Sequence, residues 1–187
     1  THRNYVRTAG EYLIVMDAAE QGRAIRSQAD YDALLHAFRP ALAPFADVFF
    51  EARGRFRAES KARWLDLHRI YSGIPEGLRK LWPGFSIFVL TGKDRESVKL
   101  FFDRMKLPLE DDHMYDKENA LDKLQAVKRV NASYFIDDNI HHLRPIHEAG
   151  IGALMAGWGY HTDEHLQLAR RLGVPIVSLD NWTEALQ

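Results

Sequence analysis

The chain has 187 residues, 27% of them charged and 46% hydrophobic, with a formal net charge of −1 at pH 7. This size and composition are typical of one or two ordinary globular domains, and the near-neutral charge gives no electrostatic basis for binding nucleic acid or an anionic membrane. The absence of cysteine excludes disulfides and thiolate metal sites. No apolar run approaches the roughly 20 residues of a membrane span or follows Thr1 as a leader, so we expect a cytoplasmic protein.

The first 70 residues carry helix patterns only. Apolar side chains at three- and four-residue spacing predict a helix from about residue 3 to residue 20. The run over 12–16 could instead be a short strand ending at Asp17, but the helical period continues on both sides and favours a helix. We therefore expect Asp17 to lie on a helix surface rather than at a strand end.

Two more helices are predicted before residue 70. Ser27 or Asp30 can cap the first, which should end before Pro40, and the second should run from about residue 44 to residue 68. One side of the latter is basic: Arg53, Arg55, Arg57, Lys61 and Arg63. Such a run is typical of a solvated helix face, and the alternative is a surface that attracts an anionic substrate.

Strands and helices alternate after residue 72. Apolar runs predict strands over 85–90, 113–115, 134–136, 151–156 and 176–179. Helices are predicted over 75–82, 96–105, 121–129, 140–149, 163–172 and 181–186. This alternation implies right-handed crossovers and a parallel sheet covered on both faces. The predicted fold class is α/β, with an all-helical domain over 1–70 and a Rossmann-like core over 71–187.

Polar residues follow the first predicted strand. Thr91, Gly92, Lys93 and Asp94 supply a hydroxyl and free backbone N–H groups at a helix start, which suits a phosphate group. The alternative is that Thr91 or Asp94 simply caps the next helix. Farther along, Lys123 or Lys117 could reach the same sheet edge and neutralise a phosphate.

Two adjacent acids, Asp137 and Asp138, follow the apolar run over 134–136. Adjacent carboxylates repel each other unless a cation lies between them, and oxygen ligands at a strand end suit Mg²⁺. The alternative is a loop in which both acids face water. A hydroxyl, an ammonium group and a metal-holding acid pair on neighbouring strands together indicate phosphoryl transfer.

The order of these motifs resembles the haloacid dehalogenase superfamily. The second motif of that family is an apolar strand ending in Thr, matched at Thr91; its third is a lysine, matched best at Lys123 and otherwise at Lys117. Its fourth is an apolar strand ending in acids, matched at Asp137 and Asp138. The segment over 71–78 is also similar to the family's entry into the core, and the helical first half fits the family's cap.

One motif of that family is missing. Its first motif is a strand ending in Asp-x-Asp, which supplies the nucleophile and the general acid/base, and no such strand occurs between Thr1 and Gln187. Asp17 is followed two positions later by Ala19, which cannot transfer a proton. We expect the first motif to lie upstream of Thr1, which would leave the sheet without its central strand.

The resemblance implies a Mg²⁺-dependent phosphatase that works on a small phosphorylated metabolite through an aspartyl-phosphate. Phosphate would bind Thr91, Gly92 and Lys123, the metal would bind Asp137 and Asp138, and the cap would set substrate choice. On this interpretation the chain alone is inactive. The alternative is a catalytically inactive protein of the same fold that serves in binding or regulation.

Overall fold

The computed structural model describes residues 2–115 and 122–186. Its contacts divide the chain into two compact units. The helical unit comprises Thr1–His68 and Tyr160–Glu164, and the α/β unit comprises Arg69–Gly159 and His165–Gln187. The predicted domain boundary after residue 70 lies near the division at His68, whereas no sequence pattern distinguishes Tyr160–Glu164 from its neighbours.

The described residues form a mixed α/β structure with short parallel strands. Its helices are α1 (Tyr12–Glu20), α2 (Gln28–Glu59), α3 (Lys61–Asp66), α4 (Ile74–Leu81), α5 (Arg95–Met105), α6 (Lys123–Arg129), α7 (Ile140–Glu148) and α8 (Asp163–Leu172). Its strands are β1 (Val89–Leu90), β2 (Met114–Tyr115), β3 (Tyr134–Asp137), β4 (Gly152–Ala156) and β5 (Ile176–Val177). Short 3-10 turns cover His2–Tyr5, Asp111–His113 and Glu184–Leu186. None of the described helices is long and apolar enough to span a membrane.

Helix α1 confirms the helical interpretation of the residues before Asp17, but it begins at Tyr12 rather than near residue 3. The preceding residues are held by the Glu11 carboxylate instead. That carboxylate accepts hydrogen bonds from the backbone N–H of Arg7 at 2.9 Å and from the Thr8 hydroxyl at 3.1 Å. A side chain therefore satisfies the backbone N–H of Arg7, a donor of the kind that a longer helix would have bonded through its backbone.

Helix α2 runs unbroken through Pro40 and Pro44, so the predicted break between two helices is wrong. Each proline removes one backbone hydrogen bond. Tyr31 before the prolines and Phe49 after them each stack on an aromatic ring from the residues preceding α2, with centroids 5.3 Å and 5.2 Å apart. Packing on both sides of the prolines thus outweighs their local preference.

The start of α2 follows the sequence closely. Ser27 is the N-cap: its hydroxyl accepts from the backbone N–H of Asp30 at 3.1 Å, and the Asp30 carboxylate accepts from the N–H of Ser27 at 3.1 Å. Both predicted capping residues therefore take part, as the two halves of one capping box.

The strands of the α/β unit form two separate parallel sheets. β1 pairs with β2, and the other sheet has the order β3-β4-β5. The strand predicted over 85–90 is confined to β1, and in place of a strand partner the carbonyl oxygen of Ile87 contacts His113 Nδ1 at 3.0 Å. A single continuous Rossmann-like sheet is therefore not formed among the described residues.

The three-stranded sheet is covered on both faces. Phe135 packs against a buried cluster contributed largely by α6, α7 and α8, which also contains Met155. Ile136 packs against a second cluster, which contains Leu154 of β4 and Leu81 of α4. Because successive strand residues point to opposite faces, this alternation fixes which face each side chain takes. Asp137 follows Ile136 and therefore shares the α6–α7 face with Phe135.

Residues in and beside β1 contact the same two clusters. Leu90 packs against the cluster that receives Phe135, and Ile87 packs against the one that receives Ile136. The two sheets therefore share both covering layers. Within residues 2–115 and 122–186, however, no strand pairs with the second edge of β1 or of β3.

Gly77 of α4 makes a close contact with a later part of the same unit. A methyl group at this position would lie 2.8 Å from Trp182 Cε2 and 2.9 Å from Thr183 Cγ2. Trp182 is only 5% exposed. The glycine thus allows the helix backbone to pack directly on the tryptophan ring.

Candidate functional site

Asp137 lies at the carboxyl end of β3 and receives hydrogen bonds from three residues. Lys123 Nζ donates to Asp137 Oδ2, and the backbone N–H of Asn139 donates to Oδ1 at 2.8 Å. His142 Nδ1 lies 3.2 Å from Oδ2 and 3.4 Å from Oδ1. The Asp137 side chain is 9% exposed, compared with 27% for Lys123. A buried acid is thus held by a lysine and a histidine at the end of a strand.

The charge state of Asp137 follows from these partners. Burial alone would raise its pKa, but the hydrogen bond from His142 and the positive charge of Lys123 outweigh burial. The pKa of Asp137 therefore lies well below its usual range. Because an ionised carboxylate only accepts hydrogen bonds, Nδ1 of His142 carries the shared hydrogen.

Helix starts position both side-chain partners of Asp137. Asp122 caps α6 by accepting from the N–H of Leu124 at 3.0 Å, which makes Lys123 the first residue of that helix. Asn139 caps α7 by accepting from the N–H of His141 at 3.0 Å, and His142 follows in the first turn. The sequence therefore places both side chains beside the strand end through two Asx caps.

Asp138, the other predicted metal ligand, contacts a different part of the unit. Its side chain lies directly against Gly159, where the Cβ of any other residue would overlap the Asp138 Cβ and carboxylate. Asp138 is half-buried, and Gly159 follows β4. The loop after β4 therefore forms one wall of the Asp138 position, and Gly159 is the residue that leaves room for it.

Thr91 and Gly92 follow the end of β1. The Thr91 hydroxyl accepts from the backbone N–H of Lys93 at 3.1 Å, and the Thr91 N–H donates to the carbonyl of Tyr115 at 2.9 Å. Asp94, not Thr91, caps α5, because its carboxylate accepts from Ser97. The structure thus identifies the helix cap, whereas the phosphate site at Thr91 and Gly92 stays a prediction. Gly92 is exposed at the turn.

The structure brings some predicted site residues together and leaves others apart. Lys123 meets Asp137, whereas Lys117 lies outside the described residues. Thr91 and Asp137 belong to different sheets, so their predicted cooperation around one phosphate stays a prediction.

His142 is the residue that the sequence patterns do not identify. Its Nδ1 nevertheless contacts the carboxylate of Asp137. The available indication was its position in the first turn after a strand-end acid.

Comparison with known proteins does not assign the chain to a family. No protein-family model matches the chain, and a comparison with curated proteins found no match. The resemblance to the haloacid dehalogenase superfamily therefore stays a prediction from the sequence motifs alone.

A second group of possible metal ligands lies near β2. Among the described residues, Glu110, Asp112 and His113 bring one ligand atom each within 4.8 Å of one another. Both acids are exposed, and exposed acids commonly lie this close without a metal ion.

Proposed function

We propose that this chain belongs to a Mg²⁺-dependent phosphatase of the haloacid dehalogenase type, which hydrolyses a small phosphorylated metabolite through an aspartyl-phosphate. The observation that supports the proposal most directly is the contact between Lys123 and buried Asp137 at the carboxyl end of β3. In this proposal the nucleophilic aspartate comes from residues outside Thr1–Gln187.

Among residues 2–115 and 122–186, the second edges of β1 and β3 pair with no strand, and these two edges suggest where the nucleophile would lie. The two sheets share both covering layers, and every strand pair in them is parallel. A parallel strand between β1 and β3 would bond to both edges and would lie about 4.8 Å from each. Its carboxyl end would then lie between Thr91 and Asp137, where ligands bind in α/β sheets.

The proposed role of each residue is based on its position and contacts. The turn after β1 offers the Thr91 hydroxyl and the Gly92 N–H to the phosphate, and Lys123 supplies the neighbouring positive charge. The incoming aspartate forms a bond to phosphorus as the alcohol leaves, and water then cleaves the acyl phosphate to release inorganic phosphate. The positive charges lower the cost of the negative charge that develops on the phosphoryl oxygens.

The acid pair supplies oxygen ligands, which fit Mg²⁺. Both oxygens of Asp137 already accept hydrogen bonds from protein groups, so Asp137 would hold the metal through water. Asp137 would then orient Lys123 and complete the outer part of the site. The bound metal would supply a positive charge on the phosphoryl oxygens.

The test begins with the gene sequence upstream of the codon for Thr1. We expect an apolar strand followed by Asp-x-Asp, and a protein that includes it should hydrolyse p-nitrophenyl phosphate with Mg²⁺ but not with EDTA. In that protein Asp138→Asn should lower turnover by at least about 100-fold, as loss of a metal ligand does. Asp180→Asn, which removes an exposed acid after β5, is the matched control and should change turnover less than about 2-fold.

Two results would contradict the proposal. One is an upstream sequence without Asp-x-Asp, and the other is unchanged turnover in Asp138→Asn. The same assay distinguishes the two candidate site lysines. The Lys123→Ala variant should lose turnover, whereas the Lys117→Ala variant should retain it.

A second candidate is a catalytically inactive binding or regulatory protein of the same fold. The observation that favours it is that protein donors alone neutralise Asp137, which makes the arrangement self-sufficient. Mg²⁺-dependent turnover in the longer protein would exclude this candidate.

A further inference from the structure

A cavity of about 610 Å³ lies within the helical unit. Two of its lining residues, Tyr5 and Ile25, belong to the buried core of that unit and are 7% and 6% exposed. The volume falls within the range of small-molecule sites, roughly 300–1,000 Å³. One side of the cavity is therefore apolar and is formed by the core itself.

Residues 161–164 also line the cavity, and this wall is fixed in place by contacts within the same unit. Asn4 Nδ2 donates to the carbonyl of His161 at 2.6 Å, and the backbone N–H of Gln28 donates to Glu164 Oε2 at 3.1 Å. The Arg3 guanidinium lies 4.4 Å from the centroid of the Tyr160 ring. These contacts preform the wall, which lowers the entropy cost of binding.

The polar side of the cavity is negative. Asp163 and Glu164 both line it, and Arg26 is the lining arginine. The pKa of Tyr5 is raised first by burial and then by the negative charges of Glu164 and Asp30. The lining therefore carries two carboxylates and one arginine beside a partly apolar surface.

We propose that this cavity binds a small organic ammonium ion, namely a primary amine on a short apolar chain. The ammonium group would donate to Asp163 and to the second oxygen of Glu164, while the chain would lie on Tyr5 and Ile25. A bare metal ion would leave most of the volume and the apolar side unused. All lining residues belong to the helical unit, so the proposal does not depend on the phosphatase proposal.

Calorimetric titration with n-butylammonium chloride tests this at fixed ionic strength, with n-butanol as the neutral counterpart. We expect saturable binding of the ammonium ion and binding of butanol at least about 10-fold weaker, a difference of about 1.4 kcal/mol. Asp163→Asn should weaken ammonium binding by about 10-fold, and Arg26→Gln should strengthen it. Asp47→Asn removes an exposed acid of α2 outside the cavity and should leave the affinity unchanged.

Three results would overturn the proposal. They are butanol binding as tightly as butylammonium, an affinity untouched by Asp163→Asn, and no saturation up to about 10 mM. Arg26→Gln is the control for loss of folding, because an unfolded variant would bind the ammonium ion less tightly rather than more tightly.

Discussion

Glu11 in the helical unit and Asp137 in the α/β unit are both buried carboxylates, but their partners differ in kind. Glu11 is 5% exposed and accepts from neutral donors, among them the Tyr31 hydroxyl at 2.6 Å. Asp137 accepts from the ammonium group of Lys123 and from His142. The first acid is satisfied by uncharged groups. The second has a cation, Lys123, among its partners.

The difference separates a structural acid from a candidate site acid. Neutral donors around Glu11 fix the local path of the chain, and burial and the hydrogen bond to Glu11 raise the pKa of Tyr31. Around Asp137, by contrast, the partner is a charged lysine that is only partly buried, and the proposed function gives this charge a role in binding phosphate. Stability and function should therefore respond differently when each acid loses its partners.

The largest effect is expected from Glu11→Ala. This change leaves the fully buried Tyr31 hydroxyl and the Arg7 N–H without their acceptor. We expect the free energy of unfolding to fall by about 3 kcal/mol, measured by urea denaturation. Glu20→Ala, at an exposed position of the same helix, is the control, and an equal loss in both variants would remove the distinction between the two acids.

A smaller loss is expected from Lys123→Met. Asp137 then keeps His142 and the Asn139 N–H but loses the ammonium group. We expect the free energy of unfolding to fall by about 2 kcal/mol, because one partner of a largely buried ion pair is gone. Lys128→Met, at an exposed position of the same helix, should change it by less than about 0.5 kcal/mol. A loss no greater than this control would show that Asp137 does not need its lysine.

The smallest effect on the free energy of unfolding is expected from a change of pH. Because the pKa of Asp137 is lowered in the folded protein, its contribution is present above the unfolded pKa of about 3.9 and is lost as pH falls through the folded pKa. The wild-type protein should lose about 1 kcal/mol more between pH 6 and pH 3 than Asp137→Asn does. Asp103→Asn, at an exposed position of α5, is the control; identical acid sensitivity in wild type and Asp137→Asn would contradict the lowered pKa.

Local patterns predicted those parts of the fold that local interactions decide. The capping residues Ser27 and Asp30 and the bounds of α8 both follow from residues close in sequence. Helix propensity and capping act within a few residues, so they can be recognised from the sequence.

Features that depend on distant contacts could not be predicted. Two prolines indicate a helix break, yet aromatic stacking beyond Pro40 and Pro44 keeps α2 continuous. The apolar run over 85–90 indicates a long strand, yet its length in the sheet is limited to the two residues that β2 pairs. His142 depends on how α7 leaves the strand, and no residue type marks that direction.

The contact between Gly77 and Trp182 has a consequence for the order in which the protein forms during synthesis. Helix α4 is the first helix of the α/β unit to leave the ribosome, but the indole ring that covers it is translated about a hundred residues later. Bringing together two segments so far apart in sequence slows folding, because the chain loses conformational entropy before the stabilising contacts form. The face of α4 that Trp182 covers in the finished protein is therefore exposed to solvent in the nascent chain during most of translation.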